Sequence, residues 1–257
     1  MSRLARFMAV RAQVAATQGR GGASECVTPF GYARLDRYLP GGGLPLGRWH
    51  EVAGEGVEIE IGAAAGAFVA ALAAPLAARG AVVWVMRRGD LHAPGLQGLG
   101  FPAERLIQVQ VRDEAQALSA LEDALGSAGV AAAIGEVEGV DLTAGRRLQL
   151  ACEKQGATGF VLRRRPFGGP ARAREEGGAL SGSAAATRWL VASAPSAAEA
   201  GTSGLGAPRW RVSLERCRGG RPGAWIMEKS DGPYPLRVVA DLGDRQLETP
   251  QPLRLAG

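Results

Sequence analysis

Lysine is nearly missing from this chain: Lys154 and Lys229 are the only two, so arginine supplies the remaining 28 of 30 basic residues. Nothing before residue 154 can therefore use a lysine for chemistry. Cysteine is equally sparse. Cys26, Cys152 and Cys217 lie far apart with no Cys-x-x-Cys spacing, which excludes a disulfide framework and predicts reduced thiols in a cytoplasmic protein. The two histidines, His50 and His92, have no ligand partners at metal spacing, so no zinc site is expected. No run reaches 18 apolar residues; Ala63–Ala78 is interrupted by Gly66 and Pro75 and reads as a core helix, not a membrane span. Arg3, Arg6 and Arg11 near the N-terminus precede no apolar stretch with a small-residue cleavage site, so no signal peptide is expected.

What is present is an ordinary globular composition. At 257 residues, 46% hydrophobic and 21% charged, the chain can bury a core of one domain. Its net charge of +5 is unevenly spread. Arg163, Arg164, Arg165, Arg172 and Arg174 fall within residues 163–174 with no acid among them, and Arg209, Arg211, Arg216, Arg218 and Arg221 share residues 209–221 with Glu215 alone. A base-composition bias toward arginine does not account for such clustering. Concentrated guanidinium groups suit phosphates or an acidic protein face.

The periodicity predicts an α/β protein. Residues 1–16 read as a short amphipathic helix with Leu4, Phe7, Met8 and Val14 on one face, followed by a Gly-rich loop. Strands are expected at Trp49–Ala53, Ala81–Met86, Leu106–Val111, Val130–Ile134 and Thr158–Leu162. Helices separate them: Ala63–Arg79, kinked or shortened by Pro75; one opened by Asp113 and Gln116; and one capped by Asp141. After an Arg/Gly/Pro-rich stretch the pattern changes. Arg188–Ala192, Trp210–Arg216, Trp225–Glu228 and Leu236–Ala240 read as strands with no helix between them. Alternation followed by strands alone implies a mostly parallel core sheet with antiparallel C-terminal strands.

Residues 34–54 carry a more specific signal. The Leu35-Asp36 pair, the run Gly42-Gly43-Leu44-Pro45-Leu46-Gly47-Arg48, and Glu51 before Gly54 resemble the approach to the phosphate-binding loop of RecA recombinases. In an NTPase the next residues read GxxxxGK[ST]: amides cradle phosphate, the lysine reaches the terminal phosphates, and the hydroxyl holds magnesium. Here they read Gly54-Glu-Gly-Val-Glu-Ile-Glu-Ile-Gly62, placing Ile59, Glu60 and Ile61 on the glycine, lysine and hydroxyl positions. A carboxylate about 4 Å from a phosphate charge would cost on the order of 4 kcal/mol at an effective dielectric of about 20. The following strand offers Trp84-Val-Met-Arg87-Arg88 where RecA carries its water-activating glutamate. Glu136 alone falls near the place of the magnesium-associated aspartate. The degenerate loop predicts no nucleotide cofactor and no ATPase activity.

With the missing lysine and the segment Arg216-Cys-Arg218-Gly-Gly-Arg221-Pro-Gly-Ala-Trp225, the fuller pattern is similar to the ImuA family of RecA/SulA-like proteins. The resemblance implies a RecA-like three-layer α/β fold, with an N-terminal helix and linker over residues 1–24, the RecA-like domain over 25–240 and a polar tail over 241–257. It further implies a non-enzymatic, cytoplasmic and nucleoid-associated accessory protein of SOS-induced, error-prone translesion synthesis. Its expected partners are RecA, a catalytically inactive Y-family polymerase homologue (ImuB), an error-prone replicative-type polymerase, and DNA. The alternatives are a SulA-like cell-division inhibitor and an atypical nucleotide-dependent recombinase.

The two basic segments take their readings from the same resemblance. Arg163, Arg164, Arg165, Arg172 and Arg174 precede Gly177-Gly178-Ala179-Leu180, at the place of RecA's second DNA-binding loop, and read either as DNA-phosphate contacts or as a solvated Arg/Gly loop. Arg216, Arg218 and Arg221 stand where RecA carries two lysines that reach the neighbouring protomer's ATP. They read as a partner-facing surface or as a plain hairpin. The Leu4/Phe7/Met8 helix is a partner-docking element, or it folds back on its own core.

Overall fold

The computed structural model of the chain describes residues 26–56, 58–164, 184–196 and 206–242, and of residues 58–62 the backbone alone. The first elements form a small ribbon. β1 (Val27–Thr28) pairs antiparallel with β2 (Leu44–Pro45), and the short helix α1 (Ala33–Asp36) lies between them in the chain. Gly41 and Gly42, at φ of 68° and 78°, make the turn that leads into β2, a backbone conformation open to glycine.

The strand and helix alternation that follows builds the main layer. β3 (Trp49–Gly54), α2 (Glu58–Ala73), β4 (Ala81–Met86), α3 (Ala93–Gln97) and β5 (Leu106–Gln110) come first. They are followed by α4 (Glu114–Leu125), β6 (Val130–Val137), α5 (Leu142–Gln155), β7 (Thr158–Arg163), β8 (Thr187–Ala194), β9 (Arg209–Cys217), β10 (Gly223–Lys229) and β11 (Leu236–Asp241). The nine strands β3 to β11 form one sheet in the order β11-β10-β9-β8-β3-β7-β6-β4-β5. From β5 to β8 all neighbours are parallel; β9, β10 and β11 continue as an antiparallel meander. The antiparallel part is therefore one strand shorter than the helix-free run of strands suggests, because β8 runs parallel to β3 on the edge that β7 leaves free.

Both faces of the parallel part are covered, as its near-continuous apolar strands require. Along β4, Val82, Trp84 and Met86 point into one core while Val83 and Val85 point into the other. The first core packs Phe68 and Leu72 of α2 against Val52, Phe160 and Trp189. The second packs Leu121 and Leu125 of α4 and Leu148 of α5 against Trp49 and Val161. Each such fully buried side chain contributes about 1.5–3 kcal/mol relative to exposure.

Helix ends follow local chemistry. Asp113 caps α4 by accepting from the Gln116 amide at 2.8 Å, and Asp141 caps α5 by accepting from the Ala144 amide at 2.7 Å. α2 begins earlier than periodicity suggests, at Glu58, and ends at Ala73. The residues Ala74–Ala78 then tighten into a 3-10 turn around Pro75, which has no amide to donate. No helix among the described residues is long and apolar enough to cross a membrane.

Candidate functional site

In open α/β sheets ligands gather where the carboxyl ends of the parallel strands meet the following loops. Here that edge is occupied by the protein's own charges. β3 ends at Gly54, and only Glu55, Gly56 and Val57 connect it to α2. The Glu55 amide donates to the Val191 carbonyl at 2.9 Å, and its carboxylate pairs with Arg211 at 2.7 Å. This connection is too short to wrap a triphosphate. Ile59, Glu60 and Ile61 lie in the first turn of α2 and not in a loop. Acids in a first turn stabilise the positive end of a helix and repel an anion placed there. Magnesium nucleotide does not fit this donor set.

Two buried carboxylates organise the rest of the edge. Glu51 of β3 accepts two bonds on Oε2 from Arg188 of β8, from Nε at 3.0 Å and Nη2 at 2.8 Å, and Arg163 Nη1 lies 3.4 Å from Oε1. Both Glu51 and Arg188 are buried, and the parallel register places them side by side. Glu136 of β6 is 1% exposed. Its Oε1 accepts from the Trp84 indole at 2.9 Å and its Oε2 from Arg164 Nη1 at 2.9 Å. Arg164 also holds both oxygens of Asp90, at 3.0 and 2.8 Å. Burial pushes the Glu136 carboxyl up and the Arg164 charge pulls it back, while hydrogen bonding from Arg164 holds Asp90 below the usual carboxylate range. The acid that the sequence places near a magnesium-associated aspartate is thus enclosed between an indole and a guanidinium.

The sequence-predicted arginines divide accordingly. Arg163 and Arg164 stand at the end of β7, with side chains 38% and 16% exposed and both engaged by carboxylates. Arg163 also donates from Nε to the Glu138 carbonyl at 3.1 Å. Arg165, Arg172 and Arg174 lie outside the described residues, as do Leu4, Phe7 and Met8. Arg216 is opposite Arg188 across the β8–β9 register. Arg218 and Arg221 occupy the exposed turn between β9 and β10. The Arg221 guanidinium sits 4.2 Å over the Tyr38 ring and its amide donates to the Tyr38 carbonyl at 3.0 Å; Tyr38 in turn meets Trp225 edge-on at 5.1 Å.

Arg188 and Tyr38 are the residues that sequence reasoning passed over. A signal existed for Arg188: a charged residue inside the apolar strand Thr187–Ala194 must find a buried partner or leave the sheet. Tyr38 carried no comparable mark, because its partners lie more than 180 residues away in the chain.

No protein-family model matches the chain. Two curated proteins called Protein ImuA do, one from Caulobacter vibrioides strain NA1000 / CB15N and one from strain ATCC 19089 / CIP 103742 / CB 15. Each is 59% identical over 226 residues, covering 86% of this chain and 92% of its own length. Among solved structures, the crystal structure of the RadB recombinase superposes with a TM-score of 0.56 at 14% identity, over 82% of this chain and 98% of that one. A likeness at that identity speaks for the fold alone, which is RecA-like, with helices on both faces of a mostly parallel sheet. Identity of this extent over nearly the whole length of both relatives settles the family: the chain belongs to the ImuA family.

Proposed function

We propose that this chain is a non-catalytic accessory protein of SOS-induced, error-prone translesion DNA synthesis that binds RecA, DNA and components of mutagenic polymerases. The observation that carries the reading is the three-residue connection from β3 to α2, with Glu55 tied to Arg211 where a nucleotide enzyme needs an anion cradle. A RecA-like protein without that cradle keeps the protomer's shape and its surfaces but not the chemistry of hydrolysis. The polyanion surface we assign to Arg163, Arg164, Arg165, Arg172 and Arg174, and the RecA-facing surface to Arg216, Arg218 and Arg221. The inactive Y-family polymerase homologue (ImuB) and an error-prone replicative-type polymerase complete the expected assembly.

Two measurements test the reading together. Titration calorimetry with magnesium-ATP is expected to give no binding below millimolar concentration; a micromolar dissociation constant would restore the recombinase alternative. Pull-down with purified RecA, the inactive polymerase homologue and the tubulin-like division protein is expected to retain the first two. Capture of the division protein alone would replace this reading with the SulA-like one.

A further inference from the structure

The outer face of α5 plays no part in the reading above. This helix is fixed at both ends and along its inner side. Asp141 caps its start, and Gly156, at φ of 73°, closes its end by donating to the Cys152 carbonyl at 2.8 Å. The Trp49 indole donates to the Gly145 carbonyl at 3.0 Å, and Gly145, Leu148, Ala151 and Cys152 are buried against the sheet. Leu142, Arg146 and Leu150 follow one another at four-residue intervals on the opposite side, with Lys154 one turn further. Leu142 is 53% exposed and Leu150 is 65% exposed, the two highest values among the large hydrophobic side chains of the described residues.

Neither fold nor helix propensity asks for leucine at these positions. Arginine, lysine, glutamine and glutamate serve a surface helix about as well. The local charge is also one-sided. Among the described residues Arg146 and Lys154 have no ion-pair partner, whereas the nearby acids are already taken: Glu122 by Arg147 at 2.6 Å and Glu153 by Arg48 at 3.3 Å.

We infer that the Leu142–Arg146–Leu150–Lys154 ridge docks a short, acidic, leucine-bearing amphipathic segment of a partner protein. The inference rests on the accessory, partner-binding role proposed above and gives that role a surface. Leu142 and Leu150 are eight residues apart, about 12 Å at 1.5 Å per residue, so the ridge matches about two turns of a partner helix. Two apolar contacts alternate along one line with two cations that have no ion-pair partner among the described residues, so the ridge presents apolar and positive groups together to one partner segment. A phosphodiester backbone has no use for the leucines. A membrane surface requires a broader apolar face than two side chains offer. Because α5 is already held in place, docking orders little of this chain, which favours binding.

The test compares wild type with Leu142→Ser/Leu150→Ser and with Arg146→Glu, all as the full chain. Affinity for the purified inactive Y-family polymerase homologue and for RecA is measured at low and high salt, alongside phosphatidylglycerol vesicles and a single-stranded oligonucleotide. Thermal unfolding controls for folding, and exposed substitutions should leave it unchanged. The leucine pair is expected to weaken one protein interaction at least tenfold at either salt. Arg146→Glu should weaken the same interaction mainly at low salt, since exposed charges are screened. Wild-type affinity of the leucine variant for both proteins overturns the ridge and leaves the accessory role standing. Loss of vesicle or DNA binding in place of protein binding also overturns it. If wild type binds neither protein, the accessory reading falls and the ridge with it.

Discussion

Arg164 and Glu136 face each other at 2.9 Å across the loop edge of the sheet, and the carboxylate is almost fully shielded from water. The Trp84 indole takes the second oxygen, so the acid makes no further use of solvent. In this arrangement a buried charge is tolerated because a specific arginine neutralises it.

Removing that arginine should therefore cost more than an ordinary surface substitution. Breaking a buried ion pair by truncating one partner costs about 3–5 kcal/mol. For a chain of this size, Arg164→Ala should lower the melting temperature by on the order of 10 °C in calorimetry. Replacing both partners with apolar residues, Glu136→Leu with Arg164→Met, should recover a large part of the loss. A single-variant drop below about 2 °C would show that the pair contributes little.

His50 supplies a pH dependence of definite sign. It is fully buried, and its two ring nitrogens lie 2.8 Å from Thr187 Oγ1 and 2.8 Å from the Pro45 carbonyl. A carbonyl only accepts, so Nε2 carries the proton. The Thr187 hydroxyl, which receives the Trp189 indole at 2.7 Å, donates to Nδ1. Burial lowers the imidazole from 6.5 to about 4. The unfolded chain thus gains a proton between pH 6.5 and 4 that the folded chain refuses. Stability is complete above pH 6.5 and falls toward pH 4, by roughly 3 kcal/mol from this group at 1.36 kcal/mol per unit. The stability gap between wild type and His50→Gln should narrow by that amount over the same window in denaturant titrations. A constant gap would mean that His50 is not held neutral.

Binding to nucleic acid should report how many arginines are available. Five phosphate contacts, from Arg163, Arg164, Arg165, Arg172 and Arg174, imply a log–log salt slope of about −3.5 for single strands and about −4.5 for duplex. Arg163 and Arg164 are already paired with Glu51, Glu136 and Asp90. If they stay so, three contacts remain and the slopes fall to about −2.1 and −2.7. Replacing all five with alanine should flatten the slope in fluorescence anisotropy. Unchanged binding in that variant would place the surface elsewhere.

The hairpin arginines bear on filament growth. If Arg216, Arg218 and Arg221 face RecA and the chain carries no nucleotide to bridge the next protomer, as proposed above, it should dock at a filament end and stop growth there. Partly desolvated charged contacts cost about 2–5 kcal/mol when truncated. Arg216→Ala with Arg218→Ala should weaken RecA binding at least tenfold, since about 1.4 kcal/mol is a factor of ten. Light scattering reads filament length with and without the double substitution. Filaments that keep their length in the presence of wild type would disprove capping.

Much of this molecule is decided by neighbours along the chain. Ala81–Met86 is a strand with two buried faces because its residues are apolar throughout, and Asp113 and Asp141 cap helices because a short oxygen acceptor precedes three free amides. The want of a lysine before Lys154 rules out a phosphate-binding loop of the usual chemistry, whatever the fold does. Local signals of this kind act over a few residues, so they survive being read without a structure. Three other features depend on strand order, which no local pattern encodes. Glu51 meets Arg188, 137 residues on, only because β8 enters the sheet beside β3. Glu136 is sealed by Trp84 and Arg164 only because β6 lies between β4 and β7. Arg221 rests on Tyr38 only because the β9–β10 turn comes back to the segment after α1. Composition could say that the chain is rich in arginine; burial and pairing across distant strands decided which of the described arginines are tied to the protein's own carboxylates.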